Sequence, residues 1–219
     1  MKKYGTNLGK IVVGESNFIT LSEPTLVVAR RTELISGLIN KIFLGLEASG
    51  DEIQKIVFGG SIAGAKCFVT EDEINKGMVE VYNYIKTVST FLKLNRCKNI
   101  EEYNQKFRKS GARLVVVVED IEKLSRMENY SKFEAIINFL ITKATDTGVM
   151  VIATTSQIER LAMEENLFYK FSNRLVFGGF SGDVVNKLTL GMYHTTKGLN
   201  DSEFYYMTMN KGNGSLLEL

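Results

Sequence analysis

Proline is nearly absent from this chain: Pro24 is the only one among 219 residues, beside 19 glycines. That argues against a Pro-rich linker or low-complexity segment and for a regular α/β domain. The two cysteines, Cys67 and Cys97, stand far apart without metal-ligand spacing, and they read as free thiols of a reducing compartment. With His194 as the sole histidine, a His-based metal site or a Ser-His-Asp triad has too few members. Charge of one sign is missing too. The count of 27 basic against 25 acidic residues leaves +2, so no polyanion surface is announced by net charge. No apolar run approaches the roughly 18 residues of a membrane span, and the first residues do not read as a signal peptide.

What is present is apolar periodicity. The hydrophobic content of 44% is ample for a core, and no internal repeat or boundary divides residues 1–219, so one domain is expected. GKIVVG and FITL are candidate strands before Pro24. TLVVA (Thr25–Ala29) is a continuous apolar run, the pattern of a strand buried on both faces. Leu34, Leu38, Ile39, Ile42, Phe43 and Leu46 then recur at helical spacing. KIVFG (Lys55–Gly59) predicts a strand, followed by the glycine-rich turn GGSIAG and a short strand at Cys67–Val69. Thr70 with Glu73 spells a capping box for a helix running to about Leu94.

Asn99–Arg108 predicts a further helix, and RLVVVV (Arg113–Val118) is the strongest strand signal. That strand ends in Glu119-Asp120, where α/β sheets place their chemistry. A helix at Tyr130–Thr145, a strand at Val149–Thr154, a helix at Ile158–Glu165, a strand at Arg174–Phe177, a helix at Asp183–Leu190 and a closing strand at Phe204–Met209 follow. Such alternation predicts an α/β fold: a mainly parallel sheet with helices on both faces.

The strand–loop–helix at Thr25–Leu46 occupies the place where a P-loop ATPase carries G-x-x-x-x-G-K-[ST]. Here the loop reads ARRTELIS, comprising Ala29, Arg30, Arg31, Thr32, Glu33, Leu34, Ile35 and Ser36. It holds neither glycine nor lysine. Three other stretches join it: CKNIEEYNQKF, RLVVVVEDIEKL and GVMVIATTSQIERL…FSNRLVF. Their order and spacing, from about Gly9 to about Gly191, resemble the FtsK/SpoIIIE-type motor domain. That family includes DNA translocases and the EssC/EccC ATPases of type VII secretion. The resemblance implies a RecA-like P-loop fold.

On this resemblance Ile35 stands at the lysine, Ala29 or its neighbour and Leu34 stand at the two glycines, and Ser36 stands at the magnesium-binding hydroxyl. A P-loop works because glycines let backbone N–H groups wrap the phosphates while lysine neutralises them. Arg30 and Arg31 either offer charge to a phosphate or belong to an interface loop. Glu119 and Asp120 stand at the Walker B carboxylates in reversed order, and a vestigial pair would cap the strand end or a helix N-terminus. Thr154, Thr155, Asn173 and Arg174 stand at the sensor elements, with a structural hydrogen-bond anchor as the alternative for the last two. The glycine run Gly59–Gly64 is explained by tight-turn geometry.

The expectation is therefore a non-hydrolysing domain of a type VII secretion ATPase, with no catalytic residue, no metal and no cofactor beyond weak ATP. The resemblance implies neighbouring FtsK/SpoIIIE-like domains and a secreted protein or its signal peptide as partners. It also implies a cytoplasmic location, with the membrane reached only through other domains. Apolar residues of TELISGLINKIF, and Tyr82, Tyr84 and Phe91, are either docking surface or core. The competing reading is an ATP-dependent DNA translocase, which the missing lysine and the near-neutral charge disfavour. A small-molecule enzyme on the same fold has no constellation of residues behind it.

Overall fold

The computed structural model describes residues 23–47, 53–107, 113–128, 130–157, 169–201, 203–208 and 213–218. The sixteen residues TELISGLINKIFLGLE form helix α1 (Thr32–Glu47), which follows strand β1 (Thr25–Val28). Then come β2 (Ile53–Phe58), β3 (Lys66–Phe68), α2 (Glu71–Leu94), α3 (Ile100–Phe107) and β4 (Arg113–Val118). After these lie α4 (Ile121–Leu124), α5 (Tyr130–Thr147), β5 (Val149–Thr155), β6 (Asn173–Phe177), α6 (Asp183–Leu188), β7 (Glu203–Thr208) and β8 (Asn213–Glu218).

The strands make one sheet in the order β3-β2-β4-β5-β1-β6-β7-β8. It is parallel from β3 to β6, and β7 and β8 are added antiparallel. Because successive side chains on a strand point to opposite faces, the valines of β4 divide between two cores. Val116 and Val118 join Ile74, Met78, Val81 and Ile85 of α2 and Phe133, Ile137 and Leu140 of α5. Val115 and Val117 join Ile35, Leu38, Ile39 and Ile42 of α1. Helices thus cover both faces, as the alternating pattern predicts. Within α1, Leu38, Ile39 and Ile42 are fully buried in the core, which removes them as docking candidates.

The capping box at α2 is realised. Glu73 N–H donates to Thr70 Oγ1 at 3.4 Å, and Thr70 N–H donates to Glu73 Oε2 at 3.0 Å. Several boundaries differ from expectation. The helix at Asp183 ends at Leu188, two residues early, and Leu190 has φ 53°, outside the helical region. Phe204–Met209 does not close the fold: β8 pairs antiparallel with β7 beyond it. The segment NGSLLE was missed because it is short, half polar and led by turn residues. GKIVVG, FITL and the predicted helix at Ile158–Glu165 lie outside the described residues.

Candidate functional site

A cavity of about 150 Å³ opens where β1, β2, β4 and β5 end. This is the carboxyl edge of the parallel sheet, where open α/β folds bind ligands. Thr32 and Ile35 line it from the start of α1, Gly59 from the turn after β2, Glu119, Asp120 and Lys123 from the segment after β4, and Thr154 and Ser156 from the end of β5.

The loop after β1 stays close to the sheet. Ala29 is fully buried, and its N–H donates to the carbonyl of Thr155 at 3.2 Å, extending the strand. Arg30 turns away from the cavity: its guanidinium lies 5.1 Å from the Phe180 ring centroid. Arg31 forms an ion pair with Asp201. Leu34 is half-buried, and its N–H donates to the Arg31 carbonyl at 3.2 Å. Glu33 is exposed and Ser36 half-buried. Ile35, at the lysine position, is only 4% exposed and packs in the α1 core. Of the loop residues singled out from sequence, Thr32 and Ile35 are therefore the two that reach the cavity.

The carboxylates reach it as well. Glu119 N–H donates to the Phe58 carbonyl at 2.8 Å, and Asp120 N–H donates to Thr154 Oγ1 at 3.0 Å. Asp120 is held at φ 49°, in the left-handed region. The expectation that the pair caps a terminus is not met. Asp120 occupies the position before α4, yet its side chain makes no capping hydrogen bond. Glu119 Oε2 and Asp120 Oδ1 are both buried without a hydrogen-bond partner. Burial pushes the Glu119 carboxyl above the usual carboxylate range, the charge of Asp120 adds to this, and Lys123 pulls it back.

Glycines shape the wall beside Glu119. Gly59 has φ 85°, and a β-carbon there would lie 2.7 Å from the Glu119 carbonyl oxygen. A β-carbon on Gly60 would lie 1.5 Å from Glu119 Oε2. The turn read from sequence as simple tight geometry therefore also makes room for the glutamate. Lys123, the one cation of the cavity lining among the described residues, was not singled out from sequence, because nothing distinguishes it from any lysine on an exposed helix face.

The sensor-like residues separate. Thr154 lines the cavity, while Thr155 is buried beside it and its Oγ1 accepts from Gln157 N–H at 3.2 Å. Asn173 and Arg174 lie on β6, away from the cavity, and both are buried. The Arg174 guanidinium donates from Nη1 to the carbonyls of Leu188 at 2.8 Å and Lys187 at 3.3 Å, satisfying the last turn of α6. Burial lowers its pKa to about 10, with Tyr169 acting in the opposite direction. Both cysteines are free. Among the described residues, no helix is long and apolar enough to cross a membrane.

No family model and no curated protein matches this sequence. Solved structures do match. TcpA, the pCW3 conjugation coupling protein in its monomer form with ATPγS, superposes with a TM-score of 0.76 at 16% identity, over 100% of this chain and 68% of that one. EssC (ATPases 2 and 3) from Geobacillus thermodenitrificans gives 0.73 at 13% identity, over 92% of this chain and 40% of that one. The cytoplasmic domain of the type VII secretion ATPase EccC from Thermomonospora curvata gives 0.74 at 12% identity, over 96% and 28%. ATPases 2 and 3 of that EccC, in complex with a signal sequence peptide, give 0.62 at 14% identity, over 92% and 38%. This chain thus spans less than half the length of the EssC and EccC chains. At such identities the likeness is one of fold. The chain has a RecA-like P-loop fold, the fold found in a conjugation coupling protein and in type VII secretion ATPases.

Proposed function

We propose that this domain is a non-hydrolysing FtsK/SpoIIIE-like module of a type VII secretion ATPase. In this reading it recognises a secreted substrate or its signal peptide, or it regulates a neighbouring motor domain. The observation that carries the reading is Ile35, which is buried in the α1 core where a motor would extend lysine to the phosphates. The donor set around it does not fit ATP–Mg²⁺. No glycine lies between Ala29 and Ser36 to bring backbone N–H groups around a triphosphate. Arg30 and Arg31 are engaged with Phe180 and Asp201, while two carboxylates face the cavity against one lysine.

A triphosphate brought to that mouth would meet Glu119 and Asp120 in a partly desolvated setting, where like charges repel most strongly. The signal sequence peptide bound by EccC supports a peptide partner for this relative of the fold. A cytoplasmic setting, with membrane contact supplied by other domains, belongs to the same proposal.

The test is magnesium-dependent phosphate release from ATP by the purified chain, and no measurable turnover is expected. Robust turnover that disappears in Glu119→Gln or Asp120→Asn would overturn the proposal. Saturable DNA binding with a steep salt dependence would move the reading to the translocase branch.

A further inference from the structure

The corner between α2 and α3 leaves an aromatic ladder open to solvent. Phe91 stacks edge-on to Tyr103 with ring centroids 4.8 Å apart, and Tyr103 meets Phe107 at 4.7 Å. Phe91 is 41% exposed, Phe107 40%, and Leu94 beside them 79%. No residue of α3 is fully buried, although Ile100, Tyr103 and Phe107 make one apolar edge at i, i+3 and i+7. A lone exposed leucine is ordinary, but a contiguous set of large apolar side chains on two helices marks an interaction surface.

The rim is basic. Lys93, Arg96, Lys98 and Lys106 are all exposed around the ladder. Lys106 Nζ donates to the Asn95 carbonyl at 3.0 Å and lies 5.4 Å from the Phe107 ring centroid, so one cation is fixed at the edge of the rings. Of the nearby carboxylates, Glu102 is engaged at the start of α3: its Oε2 accepts from Lys98 N–H at 2.7 Å, while Glu102 N–H donates to Asn99 Oδ1 at 2.8 Å. Glu101 is the other carboxylate of α3, against four exposed cations at this corner.

This surface is remote from the cavity. A β-carbon on Gly148, the residue before β5, would lie 3.0 Å from Ile100 Cγ2, so α3 begins at the amino ends of the strands. The cavity is at their carboxyl ends.

We infer that the α2–α3 corner is a docking site for an acidic amphipathic helix of a protein partner. An amphipathic helix presents its apolar anchors at i, i+3/i+4 and i+7 to such an apolar surface. The aromatic ladder supplies the desolvated centre, and the lysine and arginine rim selects glutamate-rich flanks and speeds encounter. The large apolar rings at the centre of the patch suit a protein helix, and the net charge of +2 does not by itself announce a nucleic-acid surface. The inference stands apart from the proposed function, since an active ATP site at the other pole would leave it intact.

The probe is a fluorescein-labelled peptide of about 15 residues, long enough to populate a helix. It carries leucines at i, i+3/i+4 and i+7 and glutamates elsewhere, and a matched peptide carries lysines in their place. Fluorescence anisotropy with the full chain should show saturable binding of the glutamate peptide that weakens with added salt. Leu94→Asp and the double variant Lys93→Glu/Lys98→Glu should each weaken it at least about tenfold, a change of about 1.4 kcal/mol. These side chains are exposed, so both variants should keep the parental circular dichroism melt. Absence of saturable binding, equal binding of the lysine peptide, or undiminished binding by the variants would each overturn the inference. So would variant-sensitive binding of phosphatidylglycerol vesicles or single-stranded DNA in place of the peptide.

Discussion

The backbone N–H of Asp120 donates to the hydroxyl of Thr154 at 3.0 Å, tying the turn after β4 to the end of β5 across the mouth of the cavity. Asp120 holds φ 49° at this point, so the bond secures a conformation that L residues seldom adopt. Thr154→Val keeps the shape of the side chain and leaves that N–H without its acceptor. The expected cost is about 1–3 kcal/mol in urea unfolding. Thr154→Ser, which keeps the hydroxyl, should cost clearly less. No loss in Thr154→Val beside a full loss in Thr154→Ser would show that the methyl group, not the hydrogen bond, carries the effect.

Glu119 predicts a pH dependence. Its pKa is raised by burial and by Asp120, so the native state keeps the proton to higher pH than the unfolded chain does. The resulting stability is fully present below the ordinary carboxylate pKa and is lost as pH rises through the raised native value. Glu119→Gln removes the charge. It should raise the urea midpoint at pH 7 and lose that advantage near pH 4, where the unfolded glutamate also takes up its proton. A midpoint lowered by the variant at pH 7 would mean that the carboxylate is held by a favourable partner.

Gly59 and Gly60 should respond differently to alanine. At Gly59 the new β-carbon meets a backbone oxygen at 2.7 Å and must also accept φ 85°, so a loss of at least about 1–2 kcal/mol is expected. At Gly60 it meets the end of the Glu119 side chain, which can swing aside. Gly60→Ala should therefore be milder and non-additive with Glu119→Ala, while Gly59→Ala should not be rescued by that change. A double-mutant cycle on urea midpoints checks both.

Gly77 lies inside α2, where alanine ordinarily gains about 1 kcal/mol of helix propensity. Here the added β-carbon would come within 2.7 Å of both Phe58 and Phe68, whose rings stack 5.3 Å apart. Overpacking costs about 1–3 kcal/mol, so Gly77→Ala should be neutral to destabilising by about 2 kcal/mol in thermal unfolding. A gain in stability would show that the Phe58–Phe68 stack shifts freely.

Much of the fold was legible in short windows. The run RLVVVV matches β4 residue for residue, and Thr70 with Glu73 marks the start of α2. Both signals are local: one depends on apolar continuity, the other on a hydrogen bond spanning three residues. The site was legible in its members but not in their arrangement. Glu119, Asp120, Thr154 and Ile35 do meet at one cavity, while Arg174 turns out to serve α6. Lys123 and the fit of Gly60 against Glu119 carry no pattern along the chain.

Most of the order of strands and helices along the chain, with α4 and β8 excepted, and the loss of glycine and lysine from the loop after β1 were settled by the amino-acid sequence itself. Periodicity, capping and side-chain chemistry are written within a few turns of backbone. The placement of β1 between β5 and β6, the turning of Arg30 onto Phe180, the orphaned oxygens of Glu119 and Asp120, and the exposed ladder from Phe91 to Phe107 were decided by the tertiary structure. These depend on crossovers that bring together residues far apart in the chain, and the balance of burial against solvation at such meetings exists only once the sheet has formed.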